Sequence, residues 1–366
     1  MQRGRCSVTF CAGSSLPRVL AFCAFTSGGG MLSPSPFRMK NTPRHIAVLG
    51  AGLAGLSCAH ALQAQGVSVT VFDKSRGPSG RMSTRRADGW QCDHGAQYFT
   101  ARDPAFRAEV QRWQDAGVAA LWQPRLASFD GAEWQTASSA VERFVGTPRM
   151  TAPAAWLAQQ LPVQLHTTVQ QLQSDEDGWS ITSAEHGVHP ERFDAVLLAL
   201  PSPQVLPLMA QPAPAFAALA ASAHMRGSWA LMLRFGAPVV MPWDGAFINA
   251  GPLRWVARDS SKPGRSGAET WLLHASAEWT DAHMEDSADD VAVALLAAFA
   301  DLGGPAPAAW TAHRWRYADT ESALELGCAW DAALGLGLCG DWLHGGKVEG
   351  AWRSGQALAQ RVLQSI

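Results

Sequence analysis

His45-Ile-Ala-Val-Leu49, Gly50-Ala-Gly-Leu-Ala-Gly55 and Val67-Ser-Val-Thr-Val-Phe72, closed by Asp73, decide the fold of this chain. The first run is short and apolar, as a buried strand is. The glycine cluster follows at once, Leu56 to Gln65 has helical character, and Gly66 stops it. The second apolar run then ends in an acid. In this strand–turn–helix–strand unit Gly50 permits the tight turn, Gly52 lets backbone approach a pyrophosphate, and Gly55 lets helix and strand pack closely. The helix start, at Leu53 and Ala54, offers unpaired N–H groups and a positive dipole end to phosphate. Asp73, 23 residues after Gly50, lies where a carboxylate accepts hydrogen bonds from ribose hydroxyls. Three glycines alone are weak; with strand, helix and acid in place they define a dinucleotide site.

Gly335-Leu-Gly-Leu-Cys-Gly340 repeats the spacing, but its glycines lie inside a strand and only 26 residues follow Gly340. That is too short for a second nucleotide unit, so the chain holds one dinucleotide fold. The C-terminus then separates NAD from FAD. Gly340-Asp341 ends a strand and Gly350-Ala351 opens a helix. An acid at that strand end binds ribityl or ribose hydroxyls. A helix N-terminus aimed at the flavin pyrimidine edge stabilises negative charge on the reduced ring. An NAD dehydrogenase has no need of this return, so the cofactor expected is FAD.

The rest of the chain sets the frame. With 366 residues, 47% hydrophobic and 16% charged, it is long enough for two cores and too apolar for a disordered chain. A net charge of −2 gives no basic excess for nucleic acid. Seven scattered cysteines and eleven unclustered histidines give no ligand spacing, so no metal is expected. No apolar run of about 18 residues points to a membrane span, and the expected location is cytoplasmic. Residues 1–43 carry arginines and no acid. A secretory signal, a transit-like peptide, or a start placed before Met31 or Met39 all fit, and each leaves the segment outside the fold. Helices are expected at Pro104–Ala116, Ala152–Gln160 behind a Thr151 cap, Gln211–Ala223, Ser287–Leu302 and Gly350–Leu363. Trp229–Phe235, Ala246–Ala250, Arg254–Arg258 and Thr270–Ala275 read as strands of one antiparallel sheet.

These segments resemble a known family. The glycine unit, Ser79-Gly-Arg-Met-Ser-Thr-Arg85, Asp93-His-Gly-Ala-Gln-Tyr-Phe-Thr100, Phe193-Asp-Ala-Val-Leu-Leu-Ala-Leu-Pro201 and Cys339-Gly-Asp341 are similar to flavoproteins of the amine oxidase superfamily. Gly80-Arg81-Met82 with Gly95-Ala-Gln-Tyr98 is most similar to its renalase branch. The likeness covers residues 44–366. It implies an α/β fold: a Rossmann-like FAD-binding domain of the p-hydroxybenzoate-hydroxylase kind with an inserted antiparallel-sheet α+β substrate domain. Residues 44–105, 149–206 and 316–366 fall to the first, 106–148 and 207–315 to the second.

The resemblance further implies non-covalent FAD. It implies oxidation of 2- and 6-dihydro isomers of NAD(P)H, with oxygen leaving as hydrogen peroxide, in a monomer or weak dimer. It extends the cofactor set from Gly50, Gly52, Leu53, Ala54, Gly55, Asp73, Gly340, Asp341, Gly350 and Ala351 to Lys74, Gly80, Arg81, Gly95, Ala96, Gln97, Val169 and Pro201, with Arg81 as charge partner of the pyrophosphate. Gln97 and Tyr98 are placed against the isoalloxazine, and His274 on its substrate side. Trp315, Trp330 and Trp342 are candidates to stack on a nicotinamide. His344 and Lys347 sit in the loop before the last helix. Amine oxidases of this superfamily usually bring a substrate-domain lysine to the flavin through a water. Here the one lysine available is Lys262, in a Ser/Pro/Gly loop, which weighs against amine oxidation. An amine oxidase, another small-molecule FAD oxidoreductase and a non-catalytic FAD-binding protein remain the alternatives.

Overall fold

A six-stranded sheet runs in the order Ala329–Asp331, Leu336–Leu338, Ala195–Leu198, His45–Leu49, Ser68–Phe72, Val163–Gln164. The computed structural model describes residues 45–137 and 140–366, and the expectations for residues 1–43 lie outside them. All neighbours in this sheet are parallel except the first pair. Both faces are buried, as a parallel sheet requires. Ile46, Val48, Val69 and Val71 pack on one side, with the helix Leu53–Gln63 and the C-terminal helix Lys347–Leu363. Ala47, Leu49 and Phe72 pack on the other against Trp179 and Phe193. Trp179 belongs to a small antiparallel sheet of Val169–Asp175, Gly178–Ser183 and Gly187–Val188.

The second large sheet has seven strands: Ala309–Thr320, Met225–Phe235, Glu269–Ala275, Leu253–Arg258, Gly245–Ile248, Leu126–Phe129 and Trp134–Thr136. It was expected to be antiparallel throughout. Gly245–Ile248 and Leu126–Phe129 are instead parallel, because these strands arrive from distant segments and no hairpin constrains them. Period-two alternation splits its faces. Trp229, Leu231, Leu233, Trp271 and Leu273 bury against Val291, Leu295 and Phe299 of the helix Ala288–Asp301. Ser287 caps that helix at the Asp290 N–H, 3.2 Å away, with Asp289 and Asp290 in the first turn, as the dipole favours.

Several expectations change. Thr151 stands at its helix start without a side-chain cap bond. The last helix opens at Lys347, not Gly350. The helix Ser202–Met209 follows Pro201 and Pro203, which read as breakers. Proline in a first helical turn, where no N–H bond is needed, starts a helix instead. The strand Ala309–Thr320 crosses the boundary expected at 315/316. Its residues are half-buried or exposed, so it lacks the apolar alternation that marks a strand. Among the described residues no helix is long and apolar enough to cross a membrane.

The C-terminal helix lies against the first helix through small residues. Ser57 Oγ donates to the Ala54 and Trp352 carbonyls at 3.1 and 3.0 Å. A Cβ on Gly355 would overlap Ser57 Oγ and the Ala54 carbonyl oxygen. Alanine in a helix interior normally gains about 1 kcal/mol over glycine. We expect Gly355→Ala to reverse that sign and cost about 1–3 kcal/mol through overpacking. Thermal unfolding of the two forms reads this as a lowered Tm, and an unchanged or higher Tm would show that the helices are not in such close contact.

Candidate functional site

The carboxyl edge of the parallel sheet and the polar face of the seven-stranded sheet enclose one cavity of about 1910 Å³. Ordinary ligand pockets measure about 300–1,000 Å³, so a dinucleotide and a second ligand both have room. Gly50, Gly52, Leu53, Ala54, Asp73, Lys74, Gly80, Arg81, Gly95, Ala96, Gln97, Tyr98, Val169, Pro201, His274, Gly340, Asp341, Gly350 and Ala351 all line it. Gly55, grouped with the cofactor set, does not reach the cavity. A Cβ there would overlap the Gly50 carbonyl oxygen, so this glycine serves the packing of turn on helix.

The glycine turn fits a phosphate. Gly52 has φ −76°, which any residue adopts, and a Cβ on it would meet no protein atom within 4 Å. Neither backbone nor packing demands glycine at that position; an approaching ligand does. The helix it starts has no side-chain cap and no acid in its first turn, so its first N–H groups keep their bonding capacity. Asp73 accepts the Ala51 and Ser75 N–H groups at 2.7 Å each, which pins turn to strand and leaves each oxygen a further lone pair. At the other end, Gly345, Gly346 and Lys347 have φ of 66°, 63° and 62° and swing the chain into the last helix. A Cβ on Gly350 would overlap the His344 carbonyl oxygen.

Arg81 and Asp341 were assigned separate contacts, one to pyrophosphate and one to hydroxyls. The structure joins them. Arg81 Nη1 donates to Asp341 Oδ2 at 2.9 Å, and its Nη2 to Oδ1. Opposite charges that face one cavity edge pair bidentately, so they meet any cofactor as a unit. Trp342 is fully buried, with Nε1 on the Leu200 carbonyl, and Trp330 bonds Ser365. Neither lines the cavity, whereas Trp315, His344 and Lys347 do.

Three features escaped the sequence reading. Lys262 looked like a loop residue, yet it is 2% exposed. Its Nζ donates to Asp259 Oδ1 at 2.7 Å, Asp93 Oδ2 at 3.1 Å and Gln97 Oε1 at 3.2 Å. Arg265 Nη2 adds a 2.5 Å bond to Asp93. Burial opposes the charge on Asp93, but Lys262 and Arg265 outweigh it and hold the carboxyl well below the usual range. Burial, then Asp93, raises Asp259. The Gln97 amide is also spoken for, since Nε2 donates to the Asp93 carbonyl at 2.6 Å. Gln97 therefore reaches the cavity as a fixed wall.

The second and third features are His94 and His313. Both line the cavity with His274 and Trp315. His94 stacks on Trp315 at 5.3 Å and meets His313 edge-on at 4.7 Å. The His94 carbonyl accepts His274 Nε2 at 3.1 Å and Trp315 Nε1 at 2.8 Å. Burial first, then neighbouring positive charge, lowers His94 to about 3; burial lowers His274 to about 4, and burial with Arg85 lowers His313 to about 4. All three rings are neutral at pH 7. A His-x-Trp alternation in residues 313–315 was the available signal.

Fold and site together define a flavoprotein built on one dinucleotide-binding unit, with a polar second sheet facing the cofactor cavity. Residues 48–113 match the NAD(P)-binding Rossmann-like domain, and residues 137–363, more than half the chain, match the flavin containing amine oxidoreductases. The chain belongs to that family, is an oxidoreductase, and its cofactor is FAD. It is 28% identical over 202 residues to a tRNA 5-methylaminomethyl-2-thiouridine biosynthesis bifunctional protein of Magnetococcus marinus, covering 42% of this chain and 29% of that protein. It is 36% identical over 115 residues to a hydroxyneurosporene desaturase of Rubrivivax gelatinosus, 28% of this chain and 22% of that one. An L-amino-acid oxidase of Daboia russelii is 30% identical over 84 residues, 22% and 17% of the two chains. The chain thus spans less than a third of these relatives' lengths. In fold it is similar to cyclohexylamine oxidase from Brevibacterium oxydans (TM-score 0.68, 14% identity, 88% and 99% of the chains covered). It is also similar to a putrescine oxidase with putrescine bound (0.65, 14%, 88% and 99%).

Two substitutions test this site. Gly52→Ala should leave unfolding of the flavin-free protein unchanged. It should weaken flavin binding about tenfold or more, since about 1.4 kcal/mol of steric cost is a decade in affinity; flavin titration followed by fluorescence reads it. Lys262→Met should cost about 3–5 kcal/mol in urea unfolding, because it strands two buried carboxylates on one arginine.

Proposed function

We propose that the chain is an FAD-dependent oxidase of the renalase branch, which takes hydride from 2- and 6-dihydro isomers of NAD(P)H and returns NAD(P)+, with oxygen released as hydrogen peroxide. The charge of the cavity wall carries this reading. Arg254, Arg314 and Arg316 line the cavity around three uncharged imidazoles. The lining carboxylates are already engaged. Asp73 and Glu349 take backbone N–H groups, Asp341 pairs with Arg81, and Asp319 pairs with Lys347 and Arg254. Asp103 caps a helix and meets Arg353, and Glu325 accepts the Gly345 N–H. Such a wall suits a dinucleotide's phosphates and opposes a protonated amine. Lys262 points the same way, because all three of its protons are given to buried oxygens and none is left to hold a water at the ring.

FAD, when bound, supplies the hydride acceptor and passes the electrons on to oxygen. The turn at Gly50–Ala54 and the start of the first helix would hold the pyrophosphate, Asp73 the ribose, and Asp341 with Arg81 the ribityl end. The start of the last helix would face the ring. His274, His313 and Trp315 would position the donor carbon from the sheet side at about 3–3.5 Å while water is excluded. A dihydropyridine is itself a good hydride donor, so no residue need take a proton from it.

Anaerobic mixing of the holoenzyme with borohydride-made NADH isomers should bleach the flavin, and benzylamine should not. The bleaching rate should be flat from about pH 6 to 8, because the site histidines titrate near 4. An amine, which sheds its proton at about pH 10, would instead react faster as pH rises. Bleaching by amines alone would overturn the proposal.

A further inference from the structure

We propose that His274 and His313 form an amide-reading pair on the floor of the cavity, one ring accepting and the other donating, with Arg85 as the residue that fixes the donor. The substrate class this implies is a planar compound bearing a primary carboxamide. The inference deepens the reading above and rests on it only for which carboxamide is bound.

The sheet register places the pair. Ala230 is the partner of His274 on one side and of His313 on the other. The three residues form one row on one face of three adjacent strands, and the central one contributes only a methyl group. A gap flanked by two imidazoles results.

Each ring's proton is placed by a neighbour of unambiguous role. His274 Nε2 lies 3.1 Å from the His94 carbonyl oxygen. A carbonyl only accepts, so Nε2 carries the hydrogen and the neutral ring keeps a lone pair on Nδ1. Arg85 Nη2 lies 3.4 Å from His313 Nδ1. A guanidinium only donates, so Nδ1 carries the lone pair and Nε2 the hydrogen. Among the described residues no carboxylate lies within 4 Å of Arg85, and its charge opposes protonation of the ring it faces. The remaining atoms, His274 Nδ1 and His313 Nε2, have no hydrogen-bond partner among the described residues. Neither is among the polar atoms sealed from the surface, and both rings line the cavity.

The cavity floor therefore offers one fixed acceptor and one fixed donor, both uncharged. A primary carboxamide matches this, with its C=O toward His313 and its N–H toward His274. A ketone has only the acceptor, a carboxylate has two acceptors and a charge, and an amine has no acceptor when protonated. Discrimination by a buried pair against a ligand that leaves one partner unmet is steep.

The test is binding of benzamide, acetophenone and benzoate to the FAD-loaded enzyme at neutral pH, read from perturbation of the flavin absorption bands. Benzamide should bind roughly tenfold tighter than either analogue. His274→Phe should bring benzamide down to the acetophenone level. Arg85→Met, which frees the His313 proton to move, should weaken benzamide and acetophenone alike, and Arg85→Lys should restore both. Equal binding of the three compounds, a preference for benzoate, or no spectral change up to the solubility limit would overturn the pair. The wild-type comparison decides even where a variant loses flavin. Because no reduction is read, a benzamide preference that survives failure of the dihydronicotinamide isomers to bleach the flavin would leave the pair standing and remove only the substrate reading above.

Discussion

One buried carboxylate, Asp93, joins the two halves of the molecule. Its oxygens receive Thr84 Oγ1 at 2.6 Å, the Met150 N–H at 3.1 Å, Lys262 Nζ and Arg265 Nη2. Its carbonyl receives the Gln97 amide. The hairpin of Thr84–Ala87 and Trp90–Asp93, the cavity wall at residues 94–98 and the loop after Leu253–Arg258 therefore meet at a single side chain. Buried ion clusters add little stability over apolar filling, but losing one member is costly. The cluster thus acts as a register device: the sheet that bears His274 can sit against the cofactor half in one way only.

That register explains the chemistry of the floor. His94 follows Asp93 directly, so fixing the carboxylate also fixes the carbonyl that orients His274 and Trp315. The histidines are kept neutral by burial and by positive neighbours, the reverse of the environment that makes a histidine a general base. The site is built for holding and orienting, which is what hydride transfer from a preformed donor asks of a protein.

Much of the cofactor half was legible in the sequence because its signals are local. Strand, turn, helix and acid fall within residues 45–73, and each later segment named for the cofactor carries its own glycine, proline or acid. The substrate half was less legible. His313 gains its meaning from Arg85 and from a register across Ala230, relations more than 200 residues apart. Its strand is an edge strand without apolar alternation. Lys262 sits among Ser, Pro and Gly, as exposed lysines do, and only the distant Asp93 reveals that it is buried. The proline-bounded helix Ser202–Met209 was hidden by the residues that start it.

The docking of the C-terminal helix on the first helix has a further consequence, for biosynthesis. The cofactor pocket draws its walls from residues near 50, near 170 to 200 and near 340 to 351, so a nascent chain has no complete flavin pocket until its last helix has emerged and packed against Ala54 and Ser57. Flavin then acts as a ligand of the finished fold and stabilises it by mass action. Cellular flavin supply thereby governs how much of the newly made protein persists.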